Sequence, residues 1–190
     1  DLFKNLISGI LVLVEKRFHP GDWIRVRGVV EGTVETIGFR STVVRRFDKA
    51  PVYVPNSKLS DDSLINYSAM THRRIYWKIG VEYRTTIPQL RTIRDRIEDY
   101  ILQSDAFAHP PEVSTFVRID RFSDSAIDIM LYCFTRTIDW GEWLELKEKL
   151  AYRIKQIVEE AGTGFAFPSR SLYVETLPEE NPEIFVPPET

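Results

Sequence analysis

The sequence predicts an α+β chain with a short N-terminal helix, a small β barrel, a ferredoxin-like α/β sandwich and one further strand near the C-terminus. Three observations carry this reading. Residues 23–27, 32–37, 42–47 and 52–54 are rich in Val, Ile and Thr, and are separated by Gly28, by Gly38 and by Asp48-Lys49-Ala50-Pro51. Strands so short and so closely spaced suit a barrel rather than a sandwich. Residues 75–167 then read as strand, helix, strand, strand, helix and a short extended segment, which is the split βαβ order of a ferredoxin-like layer pair. Residues 6–14, finally, are an almost unbroken apolar run interrupted only by Ser8 and Gly9.

That opening run is too short to cross a membrane by itself, since a spanning helix needs about 20 apolar residues. It has no basic start and no small-residue cleavage site, so a signal peptide is not expected. The chain begins at Asp1 rather than Met, as a processed or truncated product does. Two readings of the run stay open: a buried amphipathic helix, or the tail of a membrane helix that starts upstream. Residues 17–22 break the helix with turn chemistry, Pro20-Gly21-Asp22. After the four barrel strands, Pro55-Asn56-Ser57 is expected to end the fourth in a loop.

In the second half, Ile75, Trp77, Ile79, Val81 and Tyr83 alternate with Tyr76, Lys78, Gly80 and Glu82, the pattern of a strand with one buried face. Thr85-Thr86 before Pro88 opens a helix. Leu90, Ile93, Ile97 and Ile101 recur along it at helical spacing, with Arg91, Arg94, Asp95 and Glu98 on the other faces. Pro110-Pro111 breaks the chain, and residues 115–122 and 126–135 form a hairpin around Ser123-Asp124-Ser125. Asp139 caps a second helix whose Trp143, Leu146, Leu150, Ile154, Ile157 and Ala161 step by three or four, and Gly162 and Gly164 stop it. Residues 165–167 and 171–177 read as extended. Residues 178–190 are rich in Pro and Glu and read as a tail without fixed structure.

Composition narrows the chemistry. The chain has 190 residues, a formal charge of -3 and one cysteine, Cys133. The acidic balance speaks against a dedicated nucleic-acid binder. A lone cysteine allows no intramolecular disulfide and no multi-cysteine metal site. Cys133 alternates with Ile127, Ile129 and Leu131 and is read as a small buried thiol. His19, His72 and His109 have no ligand-like spacing, so no metal or cofactor is expected. There is no Ser/His/Asp set, P-loop or dinucleotide fingerprint, and the chain is not read as an enzyme.

A family resemblance emerges once these pieces are in order. Asn5-Leu6 with Gly9, then Arg17-Phe18 and Gly21-Asp22, resembles the junction between pore helix and cytoplasmic region in MscS-type mechanosensitive channels. Glu31-Gly32-Thr33-Val34, Arg40-Ser41-Thr42 and Val54-Pro55-Asn56-Ser57 are similar to that family's Sm-like β domain in order and spacing. Tyr132-Cys133-Phe134-Thr135 and Phe165-Ala166-Phe167-Pro168-Ser169 resemble its low-conductance, YnaI-like branch.

The resemblance implies a division of the chain: a lower pore helix over 1–16, an Sm-like β domain over 17–70 and an α/β domain over 71–168. A C-terminal barrel strand over 169–177, carrying Ser171, Leu172, Tyr173 and Val174, and the tail 178–190 would follow. It implies a homo-oligomer, a heptamer with a hollow vestibule and side portals, whose last strands meet in a barrel on the axis. Asn5 and Gly9 fall on family positions of the pore helix, with Gly9 near a kink. The family's hydrophobic constriction lies earlier on that helix, upstream of Asp1, so this stretch is not expected to conduct alone. Upstream helices would meet membrane lipid. The full-length protein would then be a multi-pass inner-membrane channel, opening under tension to release ions and small solutes in hypoosmotic shock. This stretch would lie mostly on the cytoplasmic side.

Other residues have plainer readings. Gly9 serves either a bend, at about 1 kcal/mol against alanine, or close packing against a neighbouring helix. His72-Arg73-Arg74 with Arg45-Arg46 is read as a solvated basic face. Glu31 and Glu35 share a strand face without a pocket signal for acid–base work. Glu142, Glu145 and Glu148 beside Lys147 and Lys149 are helix-surface charge. Trp140 and Trp143 are read as core, with docking on a neighbouring subunit as the alternative. The competing function is an Sm-like ring that binds RNA, with Arg45, Arg46, Arg73 and Arg74 meeting phosphates. Against it stand the net charge and an apolar helix that would be idle in such a protein.

Overall fold

The computed structural model describes residues 2–170. Helix α1 (Leu2–Glu15) precedes strands β1 (Trp23–Val26), β2 (Val30–Ile37), β3 (Ser41–Arg45) and β4 (Pro51–Pro55). A short helix α2 (Asn56–Asp61), strand β5 (Leu64–Asn66) and a single 3-10 turn, Tyr67–Ala69, complete the first unit. Its sheet is antiparallel in the order β4-β3-β2-β1-β5. One face of its strands turns Ile24, Val26, Val30, Val34, Val44 and Val54 to a single cluster that Phe18, Leu59 and Val12 fill from outside the sheet. Gly32 sits where a Cβ would lie 2.3 Å from the Arg45 carbonyl oxygen, so this β2 position admits no side chain.

The second unit runs β6 (Arg73–Val81), α3 (Ile87–Gln103), β7 (Phe107–Ala108), β8 (Phe116–Phe122), β9 (Ile127–Thr135) and α4 (Trp140–Glu160). Strand β9 is central, with β6 on one side and β8 and β7 pairing along the other. Val81 makes an antiparallel bridge to Phe165, which puts the last extended segment beyond β6. The resulting order, with the two helices packed on the sheet, is the ferredoxin-like sandwich that the sequence predicts.

Local chemistry explains both helices. Thr86 caps α3 through a capping box with Gln89, and Leu90, Ile93, Ile97 and Ile101 are its buried residues. Asp139 caps α4 by accepting from the Glu142 amide at 2.9 Å. Leu150, Ile154 and Ile157 reach the core from α4, and so does Val158.

Some expectations need correction. Pro55-Asn56-Ser57 does not end β4 in a loop but leads straight into α2. Tyr83 is not on the buried face of β6. The strand stops at Val81, and Tyr83 lies exposed, stacked on Phe122 with its hydroxyl donating to the Ser123 carbonyl. The barrel strand expected over 169–177, with Ser171, Leu172, Tyr173 and Val174, lies outside the described residues from position 171 onward.

Two titratable groups report on the packing of the second unit. Burial pushes the Cys133 thiol up to about 12. Hence at pH 8 a thiol reagent is expected to label Cys133 only at the rate of unfolding; rapid labelling of the folded chain would show the core is misplaced. The Asp128 carboxyl is held below its ordinary value, chiefly by the Ser123 hydroxyl and further by Lys78 and Arg121, while burial acts the other way. A lowered folded pKa contributes stability above the ordinary carboxylate value of about 3.9 and loses it as pH falls through the folded value. Ser123→Ala should therefore shift the acid-unfolding midpoint, followed by circular dichroism, to higher pH.

Candidate functional site

Helix α1 is amphipathic in the reverse of the usual sense. Among the described side chains, Asn5, Ser8, Gly9 and Val12 lie on one face, and this small, mostly polar set is the one packed against the β unit. The outward face carries Phe3, Leu6, Ile7, Ile10, Leu11 and Val14, with Phe3 79% and Val14 69% exposed. A helix in a water-soluble domain turns its apolar stripe inward. An outward stripe of this size marks a surface made for lipid or for other protein. No helix among the described residues is long and apolar enough to cross a membrane.

The socket that holds α1 is built from β2, β3 and α2. Asn56 is fully buried at the start of α2, and every polar atom of its side chain is used. Its Oδ1 accepts from the Thr42 hydroxyl at 2.9 Å, while its Nδ2 donates to the Gly38 and Phe39 carbonyls at 2.8 and 3.1 Å. Its backbone amide donates to the Arg40 carbonyl at 3.0 Å. The β2–β3 turn is thereby tied to α2, and α1 lies across the joint. A Cβ on Gly9 would fall 2.6 Å from both the Phe39 carbonyl oxygen and Asn56 Nδ2.

Asn5 completes the arrangement. Pro55, the residue before α2, offers no side-chain cap. The Ser57 amide donates instead to Asn5 Oδ1 at 3.0 Å, 52 residues away in sequence. Asn5 thus supplies across the helix pair what an N-cap residue supplies within one helix. Lys4 adds an exposed ion pair with Asp61 at 2.6 Å. The two positions singled out on α1, Asn5 and Gly9, are brought together on one contact, in which Gly9 lies against the β2–β3 turn and the Asn56 side chain. Asn56 and Thr42 were legible only as pieces of a motif.

Of the basic face, Arg46 and Arg74 are exposed as the sequence suggests and Arg73 is not. Arg73 is buried, with its guanidinium Cζ 5.0, 5.0 and 5.3 Å from the ring centres of Trp23, Trp140 and Trp143. Arg45 forms a two-pronged bond with Glu35 at 2.9 and 2.8 Å, and Arg46 pairs with Asp48 at 3.1 Å. Arg74 lies 5.9 Å from the rings of both Tyr76 and Tyr132. His72 meets Glu112 at 3.1 Å. Burial withdraws Arg73 from the four arginines that the RNA-binding reading assigned to phosphates. Trp140, read as core, is 49% exposed. Among the described residues no cluster of His, Cys, Asp and Glu could hold a metal ion.

Residues 1–69 match the family model described as "Mechanosensitive ion channel, beta-domain", and residues 75–165 match "Mechanosensitive ion channel MscS, C-terminal". The low conductance mechanosensitive channel YnaI of Escherichia coli is 37% identical over 178 residues, which cover 93% of this chain and 51% of that protein. An uncharacterized MscS family protein of Helicobacter pylori is 37% identical over 207 residues, covering 94% of this chain and 33% of its own length. The chain thus spans a third to a half of the length of these relatives. Among solved structures, Arabidopsis thaliana MSL1 superposes with a TM-score of 0.81 at 21% identity, over 88% of this chain and 60% of that one. Helicobacter pylori MscS in its closed state gives 0.78 at 24%, over 93% and 67%. Both structures support the fold.

The socket makes a direct prediction. Gly9→Ala should undock α1 at a cost of about 1–3 kcal/mol, because the clash is with a backbone carbonyl that cannot step aside. Asn5→Ala should cost about 1 kcal/mol and speed hydrogen exchange at the Ser57 amide. Unchanged melting and unchanged Ser57 exchange in both variants would mean that α1 is not seated there.

Proposed function

The chain belongs to the MscS family of mechanosensitive ion channels, and from that premise we propose that it is the cytoplasmic vestibule and lower pore-helix part of a channel opened by membrane tension. The observation that carries this is α1: its apolar face points out, while polar and glycine contacts tie its other face to the β unit. Such a helix suits a ring of pore helices standing on a rigid collar.

The physics fits a division of labour. A hydrophobic constriction closes by dewetting and conducts when lateral tension widens and rewets it. Tension is felt by lipid-facing helices upstream. The described residues provide the collar that fixes the helix ends and, below it, a sieve for permeating ions and small solutes. The assembly is a homoheptamer in the inner membrane, its lower pore helix carrying Asn5 and Gly9. Ser171, Leu172, Tyr173 and Val174 lie in the strand that joins its neighbours on the axis. Membrane lipid meets the protein through the upstream helices, and nucleic acid is not a partner.

Patch-clamp recording of the full-length product in a channel-free host tests the activity. Pressure-evoked current is expected, and silence up to the tension at which membranes rupture would contradict it. For the 190-residue chain alone, light scattering in detergent should show a ring-sized assembly, and dilution of detergent should cause aggregation through the α1 stripe. A monodisperse monomer without detergent would count against the ring.

A further inference from the structure

Among the described residues the two sheets share no strand pairing, and their hydrophobic clusters are separate. One cation sits at the junction between them. Arg73 opens β6 with only 7% of its surface exposed. The cage around it takes one wall, Trp23, from the β unit and two, Trp140 and Trp143, from the first turn of α4. Trp23 meets Trp140 edge-on at 5.9 Å and is backed within its own unit by Tyr67 at 4.7 Å and Phe47 at 5.2 Å. Lys147 lies 4.3 Å from the Trp143 ring centre, so that indole serves two cations. A neighbouring polar contact joins His72, on the connecting segment, to Glu112 in the β7–β8 loop.

We propose that Arg73 is the pin of a releasable latch: its guanidinium, caged by Trp23, Trp140 and Trp143, holds the β unit against the α/β unit, and its withdrawal lets the two units rock. Attraction between a cation and the faces of indole rings holds the latch shut. Desolvation opposes it. Arg73 Nε and Trp143 Nε1 are both buried without an acceptor among the described residues, and a buried donor without a partner keeps the full cost of its lost hydration. Opening to water would remove that cost. Burial also lowers the Arg73 pKa, with the Asp139 carboxylate and Tyr67 acting in the opposite direction, yet a guanidinium keeps its charge throughout. The latch requires an open arrangement close in free energy to the closed one, the condition under which a small bias selects between them. Half-exposed Trp140 is the wall through which water reaches the cage. The latch concerns two units of one chain and stands apart from the channel reading.

Spin labels on Tyr53→Cys in β4 and Tyr152→Cys in α4, both exposed sites, report the separation of the units by pulsed electron resonance on the full chain. Cys133 is buried and stays unlabelled. The distance distribution should be narrow in the parent and about twofold broader in Arg73→Met, because units without a firm interface move relative to each other. Arg73→Lys should fall between the two. In Arg73→Ala, tetramethylammonium chloride should refill the cage, narrow the distribution and shift tryptophan emission, whereas sodium chloride at equal strength should do neither. A parent-like width in folded Arg73→Met would overturn the latch. Failure of tetramethylammonium to narrow the distribution would overturn it as well. If Arg73→Met does not fold, Trp140→Ala removes the exposed wall, and an unchanged width there is equally decisive.

Discussion

The arrangement of the first unit depends on the approach of one helix backbone to one turn. At Gly9 the α1 backbone comes so near the Phe39 carbonyl and the Asn56 amide that no side chain fits between them. That approach brings Asn5 to the Ser57 amide and lets Val12 enter the β-unit cluster. It also sets which face of α1 points outward. Among the described side chains, Phe3, Leu6, Ile7, Ile10, Leu11 and Val14 are the apolar residues that this seating leaves outward. Among the described side chains, α1 is held by the Asn5–Ser57 bond, the close approach at Gly9 and buried Ser8 and Val12.

Asn56 is the second half of that constraint. A buried amide is costly unless every donor and acceptor is matched. Here Thr42, Gly38 and Phe39 match all of them, so the β2–β3 turn and the start of α2 move as one body. The α1 socket therefore belongs to the rigid part of the β unit. The α/β unit is held by a different kind of bond, a charge among aromatic faces with donors left over. The polar groups of Asn56 are matched at the α1 socket, whereas Arg73 Nε and Trp143 Nε1 have no acceptor among the described residues at the junction between units.

Much of the fold could be read from local pattern. The capped helices α3 and α4, the β8–β9 hairpin and the strands of the first sheet all follow from periodicity, caps and turn residues. What was missed has a common cause. Helix α2 holds a single apolar residue, Leu59, and lacks its own cap; its amide is satisfied by Asn5 from far away in sequence. Strands β5 and β7 are three and two residues long and exist only because β1 and β9 offer them an edge. Arg73 sits in a His-Arg-Arg run that looks like solvated charge, and nothing nearby announces that Trp23 and Trp140 will close over it.

A short stretch of chain settles on its own the longer strands, the capped helices α3 and α4 with their core faces, the buried state of Cys133, and the motifs that place the chain in its family. Tertiary structure alone decided which side of α1 is seated, what Asn5 and Asn56 hold together, and the conversion of Arg73 from surface charge to buried pin. The physical reason is range. Periodicity and capping act over one or two turns, whereas the Asn5 bond and the contacts of Trp23, Arg73 and Trp140 join residues 50 to 117 positions apart, whose meeting no local pattern encodes.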